Sequence, residues 1–228
     1  MAERSSIFDM IGPVMIGPSS SHTAGVVRIA RTAIRVLGEK PASVEITFYN
    51  SFARTYEGHG SDRAVIAGLL DYRTDDIRIK NAFDHAEKEG LEYKFRSVGS
   101  AAVYHPNTLK LRLTSSSDPD RVVEVIGESL GGGVIRIREV DGFNAGFSAS
   151  MHTMIILAQD VKGSIAFIAN ILSNDDCNIA TMTVSRKGKN AIACLILEMD
   201  SGIRPVTLQY LEELRWVNHV RYIPDIDQ

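Results

Sequence analysis

The sequence predicts an α+β protein built in two parts. Three observations lead there. Apolar residues recur at helical spacing over 26–37 and again over 62–71. Alternating apolar and polar residues mark a series of strands between 44 and 140. Beyond a stretch rich in Gly, Ser and Ala that ends at 150, the order becomes strand, helix, strand, strand, helix, strand.

Val26, Val27, Ala30, Ala33, Ile34 and Leu37 form the apolar stripe of a first helix. Ser21 or Thr23 is expected to cap it by accepting a bond from a free N–H of the first turn, and Gly38 and Pro41 to stop it. Val44, Ile46 and Phe48 alternate through SVEITFYN, a strand. SFARTYEGHGS then reads as a loop into a second helix, about Asp62 to Asp71, with Asp62 as its expected N-cap. Alternation returns at Leu91, Tyr93 and Phe95 and at Leu109, Leu111 and Leu113. RVVEVIGESL and VIRIREVDG flank Gly131-Gly132-Gly133 as a hairpin. Residues 1–148 thus read as one domain, with two helices near the start and a mainly antiparallel sheet after them.

Residues 141–150, DGFNAGFSAS, lack sustained periodicity and read as a linker. In the second domain, 149–228, strands are expected at Met154–Ala158, Asn178–Ser185, Ala191–Glu198 and Val217–Tyr222. Helices are expected at about Ser164–Ser173 and Pro205–Leu214, and RKGKN turns between the middle strands. That order is the ferredoxin-like βαββαβ arrangement.

Of the 228 residues, 44% are hydrophobic and 23% charged, which excludes a disordered or collagen-like chain. No apolar run approaches the roughly 18 residues of a membrane span. The start, MAERSSIFDM, shows neither a long apolar stretch nor a cleavage pattern, so a cytoplasmic location is expected. The net charge of −3 gives no general attraction to nucleic acid or acidic lipid. Cys177 and Cys194 are too few for a disulfide scaffold or for an iron–sulfur cluster, which usually takes four thiolates. No metal ligands are expected in this chain. The cysteines read as small core residues.

Three motifs carry candidate chemistry. The first is Gly17-Pro18-Ser19-Ser20-Ser21-His22-Thr23, immediately before a helix, where free N–H groups favour a carboxylate or phosphate and hydroxyls add directed bonds. The same string also serves as a plain capping loop. The second is Tyr56-Glu57-Gly58-His59-Gly60-Ser61-Asp62. Its glycines leave the imidazole accessible, and an imidazole titrates near neutrality, so it can act as base or acid; a turn histidine bonded to backbone is the alternative. The two loops are expected to converge. The third is Gln159-Asp160-Val161-Lys162-Gly163-Ser164-Ile165 at a strand–helix junction. Gly163 gives backbone freedom there and Ser164 a cap; an effector pocket completed by Asn178 and Ile179 is the functional reading, a simple turn the other. His85, His105, His152 and His219 lack a ligand-like partner at short spacing and read as structural, as do Arg136 and Arg138 on the polar face of a strand.

SIFDMIGPVMIGPSSSHTAG together with YEGHGSD closely resembles the beta chain of bacterial iron–sulfur-dependent L-serine dehydratase, and the resemblance runs over essentially the whole chain. From ILAQDVKGSIAFIANILSNDDCNIATMTVSRK onward the chain resembles an ACT domain, a module that commonly binds amino acids or pairs with its own copies. Lys162 stands where that module often has proline or arginine. The resemblance implies an allosteric-substrate-binding-like domain before the ACT domain. It implies deamination of L-serine to pyruvate and ammonia. A [4Fe-4S] cluster would sit on a separate alpha chain, where an iron with an open position acts as Lewis acid toward the serine hydroxyl. It further implies His59 as the base that takes the alpha proton, with His22 as hydrogen-bond partner or alternative base. Ser19, Ser20, Ser21, Thr23, Gly58, Gly60 and Ser61 become substrate contacts. Asp160, Lys162, Gly163, Ser164, Asn178 and Ile179 become candidate effector contacts in the ACT part, which is also expected to self-associate. The competing readings are a purely regulatory amino-acid-binding subunit and a free-standing sensor.

Overall fold

The structure is a computed structural model that describes residues 13–188 and 191–226. SIFDMI at 6–11 and the turn residues Lys189 and Asn190 lie outside the described residues. The chain divides into two compact units, the first ending at Asp141 and the second beginning at Gly142.

In the first unit a π-helical turn, Ser20–Ala24, runs straight into α1 (Gly25–Leu37). The cap is Ser19, whose side chain accepts from the His22 N–H; Ser21 and Thr23, expected to cap, lie inside the turn. After β1 (Pro41–Tyr49) come α2 (Asn50–Thr55) and α3 (Ser61–Leu69). A 3₁₀ turn, Ile77–Asn81, leads to α4 (Ala82–Glu89) and β2 (Glu92–Val98). Then follow β3 (Thr108–Ser115), β4 (Val122–Gly131) and β5 (Val134–Val140), with Gly132 and Gly133 turning the last hairpin. The strand order is β2-β1-β3-β4-β5. β1 and β2 pair in parallel because a helical crossover separates them, whereas the later neighbours are antiparallel.

α1 is buried almost all round. It lies on β4, where a Cβ at Gly127 would stand 2.6 Å from Ile29 Cγ2, and against α3, where a Cβ at Gly68 would stand 2.5 Å from the Val27 carbonyl. These two glycines let backbones approach closely and so set the depth at which α1 sits.

Two local expectations change here. SFART, read as loop, is most of α2. Its one large apolar residue is Phe52, fully buried, too little for a periodic signal. Asp62 does not cap α3: Gly60, at φ +70°, occupies the cap, and Asp62 Oδ1 accepts the neighbouring Arg63 N–H.

The second unit opens with β6 (Phe143–Phe147), inside the segment read as linker. Phe143, Ala145 and Phe147 are buried while Asn144 and Gly146 are exposed, so five residues of alternation suffice for a strand. The βαββαβ order follows as β7 (His152–Gln159), α5 (Ser164–Asn174), β8 (Ile179–Arg186), β9 (Ile192–Met199), α6 (Pro205–Glu212) and β10 (Val217–Ile223). The sheet order β10-β7-β9-β8 is the ferredoxin-like one, over a core that includes Met154, Ile156, Ile168, Leu172, Leu197 and Leu211. Both cysteines are buried; Cys194 is on β9, whereas Cys177 sits in the turn before β8 rather than in a strand.

Candidate active site

The site forms where the π-helical turn before α1 meets the ends of α2 and α3. Two buried hydroxyls fasten that turn from outside. Ser61 at the start of α3 donates to the His22 carbonyl at 2.8 Å, and Ser129 on β4 donates to the Ser21 carbonyl at 2.9 Å. Both serines are fully buried.

The imidazoles of His22 and His59 stack with centroids 4.5 Å apart and planes 29° apart, so the two motifs converge. His22 also meets the edge of Phe52 at 5.0 Å. Its Nδ1 lies 3.0 Å from Ser21 Oγ and 3.2 Å from Ser19 Oγ, and its Nε2 lies 3.1 Å from Thr55 Oγ1. Partial burial lowers the His22 pKa, and the neighbouring His59 lowers it further. His59 is exposed, and its Nδ1 lies 3.1 Å from the Thr55 carbonyl. Thr55, at the end of α2, therefore touches both rings.

Beside His59 is a cavity of about 150 Å³, lined also by Gly60, Thr23, Arg63 and Lys80. A cavity near ~150 Å³ admits a molecule the size of benzene, so a small amino acid is within its range. Thr23 Oγ1 is buried without a hydrogen-bond partner among the described residues. Gly17 makes room for it, since a Cβ there would stand 2.5 Å from that oxygen. Neither Arg63 nor Lys80 makes an ion pair with a carboxylate among the described residues. Two cations, an unpartnered hydroxyl and an imidazole can together receive a small carboxylate.

The expected substrate contacts separate on this geometry. Thr23 and Gly60 line the cavity with His59. Ser19 and Ser21 hold the His22 ring. Ser20 is half-buried, and its hydroxyl has no hydrogen bond among the described residues. Gly58 is exposed. Ser61 departs from its expected role, because it is buried and its proton is committed to the His22 carbonyl, which makes it a brace. Thr55, Arg63, Lys80 and Ser129 were not singled out by the sequence. Arg63 stands in the first turn of α3 while His59 lies in the turn before the left-handed Gly60 cap, so no helical-spacing argument joins the two.

The sequence that builds this site matches a known family. Residues 6–140 fit the family model for the serine dehydratase beta chain. A probable L-serine dehydratase beta chain from Bacillus subtilis is 43% identical over 96% of this chain and 98% of its own. An L-serine dehydratase beta chain from Peptoniphilus asaccharolyticus is 34% identical over 87% of this chain and 88% of its own. This chain belongs to the serine dehydratase beta chain family. A D-3-phosphoglycerate dehydrogenase from Bacillus subtilis is 29% identical over 72% of the chain but only 29% of its own length.

In this serine dehydratase beta chain the junction between β7 and α5 is shaped as a turn. Gly163 caps α5 at φ +84°, and no side chain caps it; Ser164 does not take that role. Lys162 is exposed, and Asp160 pairs with Arg186 at 2.6 Å. Asn178 instead bonds Asp200 at 2.6 Å. Strand register separates the two groups: Gln159 pairs with Ile192 at one end of β9, and Ile179 with Met199 at the other. The expected effector contacts Asn178 and Ile179 therefore do not complete the 160–164 junction within one chain.

The cluster that the family reading implies does not fit the residues of this chain. Two thiols cannot supply four thiolates; the Cys177 thiol donates to the Ser201 carbonyl at 3.4 Å. Among the described residues no three His, Cys, Asp or Glu side chains converge as a metal-holding group. No helix among them is long and apolar enough to cross a membrane.

Proposed function

We propose that this beta chain supplies the base and the carboxylate-binding contacts for deamination of L-serine to pyruvate and ammonia, in a complex with a separate alpha chain that carries the [4Fe-4S] cluster. The observation that carries the reading is the His59 ring, stacked on His22 and lining a small cavity that also holds Arg63 and Lys80. Serine seated there presents its carboxylate to the two cations and to Thr23 Oγ1. His59 takes the alpha proton at Nε2, the nitrogen without a hydrogen bond among the described residues. His22, held neutral by its surroundings, backs the His59 ring and accommodates the imidazolium that forms. Loss of the beta hydroxyl leaves an enamine, which tautomerises and hydrolyses to pyruvate and ammonia. This chain's residues account for the proton removal and the carboxylate contacts only.

In the same reading, residues up to about 148 form the allosteric-substrate-binding-like domain and 149–228 the ACT domain. β8 is an edge strand. Antiparallel pairing of β8 with β8 of a second copy brings Asn178 of one chain toward the 160–164 junction of the other, completing an effector site that one chain leaves divided. Two buried cysteines that are not joined in a disulfide fit a reducing, cytoplasmic compartment.

The test is His59→Asn in enzyme reconstituted anaerobically with the cluster-bearing chain. Turnover at saturating serine is expected to fall by about 10²- to 10⁴-fold, the usual contribution of a positioned base. A variant that keeps its turnover and merely needs more serine turns the reading toward a regulatory subunit.

A further inference from the structure

Among the described residues Thr55 is the one that hydrogen-bonds both imidazoles, and it does so through two different oxygens. Its carbonyl meets His59 Nδ1 at 3.1 Å; its hydroxyl oxygen meets His22 Nε2 at 3.1 Å. The same hydroxyl lies 2.9 Å from the Ser51 carbonyl, one turn back along α2.

The proton positions follow from which partners have no proton to give. A carbonyl only accepts, so His59 Nδ1 carries a hydrogen and donates it to Thr55. The Ser51 carbonyl likewise only accepts, so the Thr55 hydroxyl spends its single proton there. Thr55 Oγ1 is then left as an acceptor, and His22 Nε2 must be the donor. In neutral His22 this leaves Nδ1 bare, and Ser19 or Ser21 donates to it. The two stacked rings thus hold opposite tautomers, Nε2–H at His22 and Nδ1–H at His59.

We infer that Thr55 is a positioning residue that sets opposite tautomers in the two histidines and so leaves His59 Nε2 as the bare nitrogen for the alpha proton. The proton arrangement stands on the hydrogen bonds alone; its place in catalysis rests on the function proposed above. Thr55 touches no part of the proposed cavity, so it acts through the histidines. Its own placement is secured by α2. There the Asn50 amide bonds the carbonyls of Ala101 and Tyr104 and the Ala101 N–H, and the Ser51 N–H bonds the Pro106 carbonyl.

The experiment uses the full chain with ¹⁵N-histidine, above pH 8, and reads ring tautomers from long-range proton–nitrogen correlations. His22→Gln and His59→Gln supply the assignments. The wild type is expected to show Nε2–H at His22 and Nδ1–H at His59. Thr55→Val removes only the hydroxyl: His22 is expected to lose its single tautomer while His59 keeps its own, and Thr55→Ser is expected to restore the wild-type pattern. In the reconstituted enzyme Thr55→Val is expected to lower kcat with KM little changed, because the His22 ring that backs His59 loses its fixed tautomer and orientation. Thr55→Ser is expected to recover turnover.

A wild-type His59 carrying its proton on Nε2 overturns the inference without any variant, even if Thr55→Val fails to fold. So does a single Nε2–H tautomer at His22 that survives in Thr55→Val. The expected tautomer change with undiminished turnover overturns instead the catalytic reading of the histidine pair, and leaves the proton arrangement standing.

Discussion

His22 is bonded at both ring nitrogens, whereas His59 is bonded at one. Burial and the neighbouring ring both disfavour a charge on His22, so its folded pKa lies below the ordinary value of 6.5. The unfolded chain therefore binds a proton at His22 before the folded chain does. The contribution to stability is whole above pH 6.5 and is lost as pH falls through the folded value. Melting temperatures measured between pH 7.5 and 5 are expected to fall less steeply for His22→Gln than for the wild type. Parallel curves would show that His22 is not the group responsible. Both histidines were legible as candidates because glycine, serine and helix starts surround them in sequence. Ser129 and Lys80 were not, since each reaches the site through packing between elements distant along the chain, and Thr55, though only four residues before His59, meets His22 through such packing and carries no local signature. Ser61 was legible as part of a motif but not in its role, because a buried hydroxyl facing a carbonyl looks the same in sequence as one facing a ligand.

At the scale of elements, periodicity revealed what had room to repeat. α1 and the strand pairs of the first sheet extend over several turns or alternations, and their boundaries lie close to those expected. α2 has six residues and β6 five, shorter than the window in which a period becomes visible. α2 is held by its surroundings, through Asn50, the Pro106 carbonyl and Phe52, rather than by its own propensity. The contact of α3 with α1 is equally invisible in sequence, because a glycine needed for close approach resembles any other glycine in a helix. Gly68→Ala places a methyl 2.6 Å from Ala30 Cβ as well as against the Val27 carbonyl. Overpacking of this kind is expected to cost about 1–3 kcal/mol, outweighing the roughly 1 kcal/mol that alanine gains over glycine in a helix. Urea unfolding of the two proteins reads the difference, and a stabilised variant would mean that α1 and α3 separate at little cost.

For the whole molecule, the second unit raises the question of what a single copy leaves unfinished. Its sheet ends at β8, where Ala180, Thr181, Val184 and Arg186 are exposed. An open edge presents unpaired N–H and C=O groups that another strand can take up. Antiparallel pairing of two β8 strands extends the sheet from four strands to eight. It also reverses one copy against the other, so the Asn178 end of one meets the Asp160–Arg186 end of its mate. Register alone shows why this matters, since within a chain those groups stand at opposite ends of β9. The isolated chain is accordingly expected to sediment as a dimer. Val184→Lys places a charge on the pairing strand and is expected to shift it toward monomer, while His22 and His59 in the first unit keep their tautomers. If serine is the effector, adding it is expected to tighten the wild-type dimer, and Asn178→Ala to abolish that response without dissociating the chains. A wild type that sediments as a monomer at every concentration, with or without serine, would leave β8 an unpaired edge and the effector contacts divided.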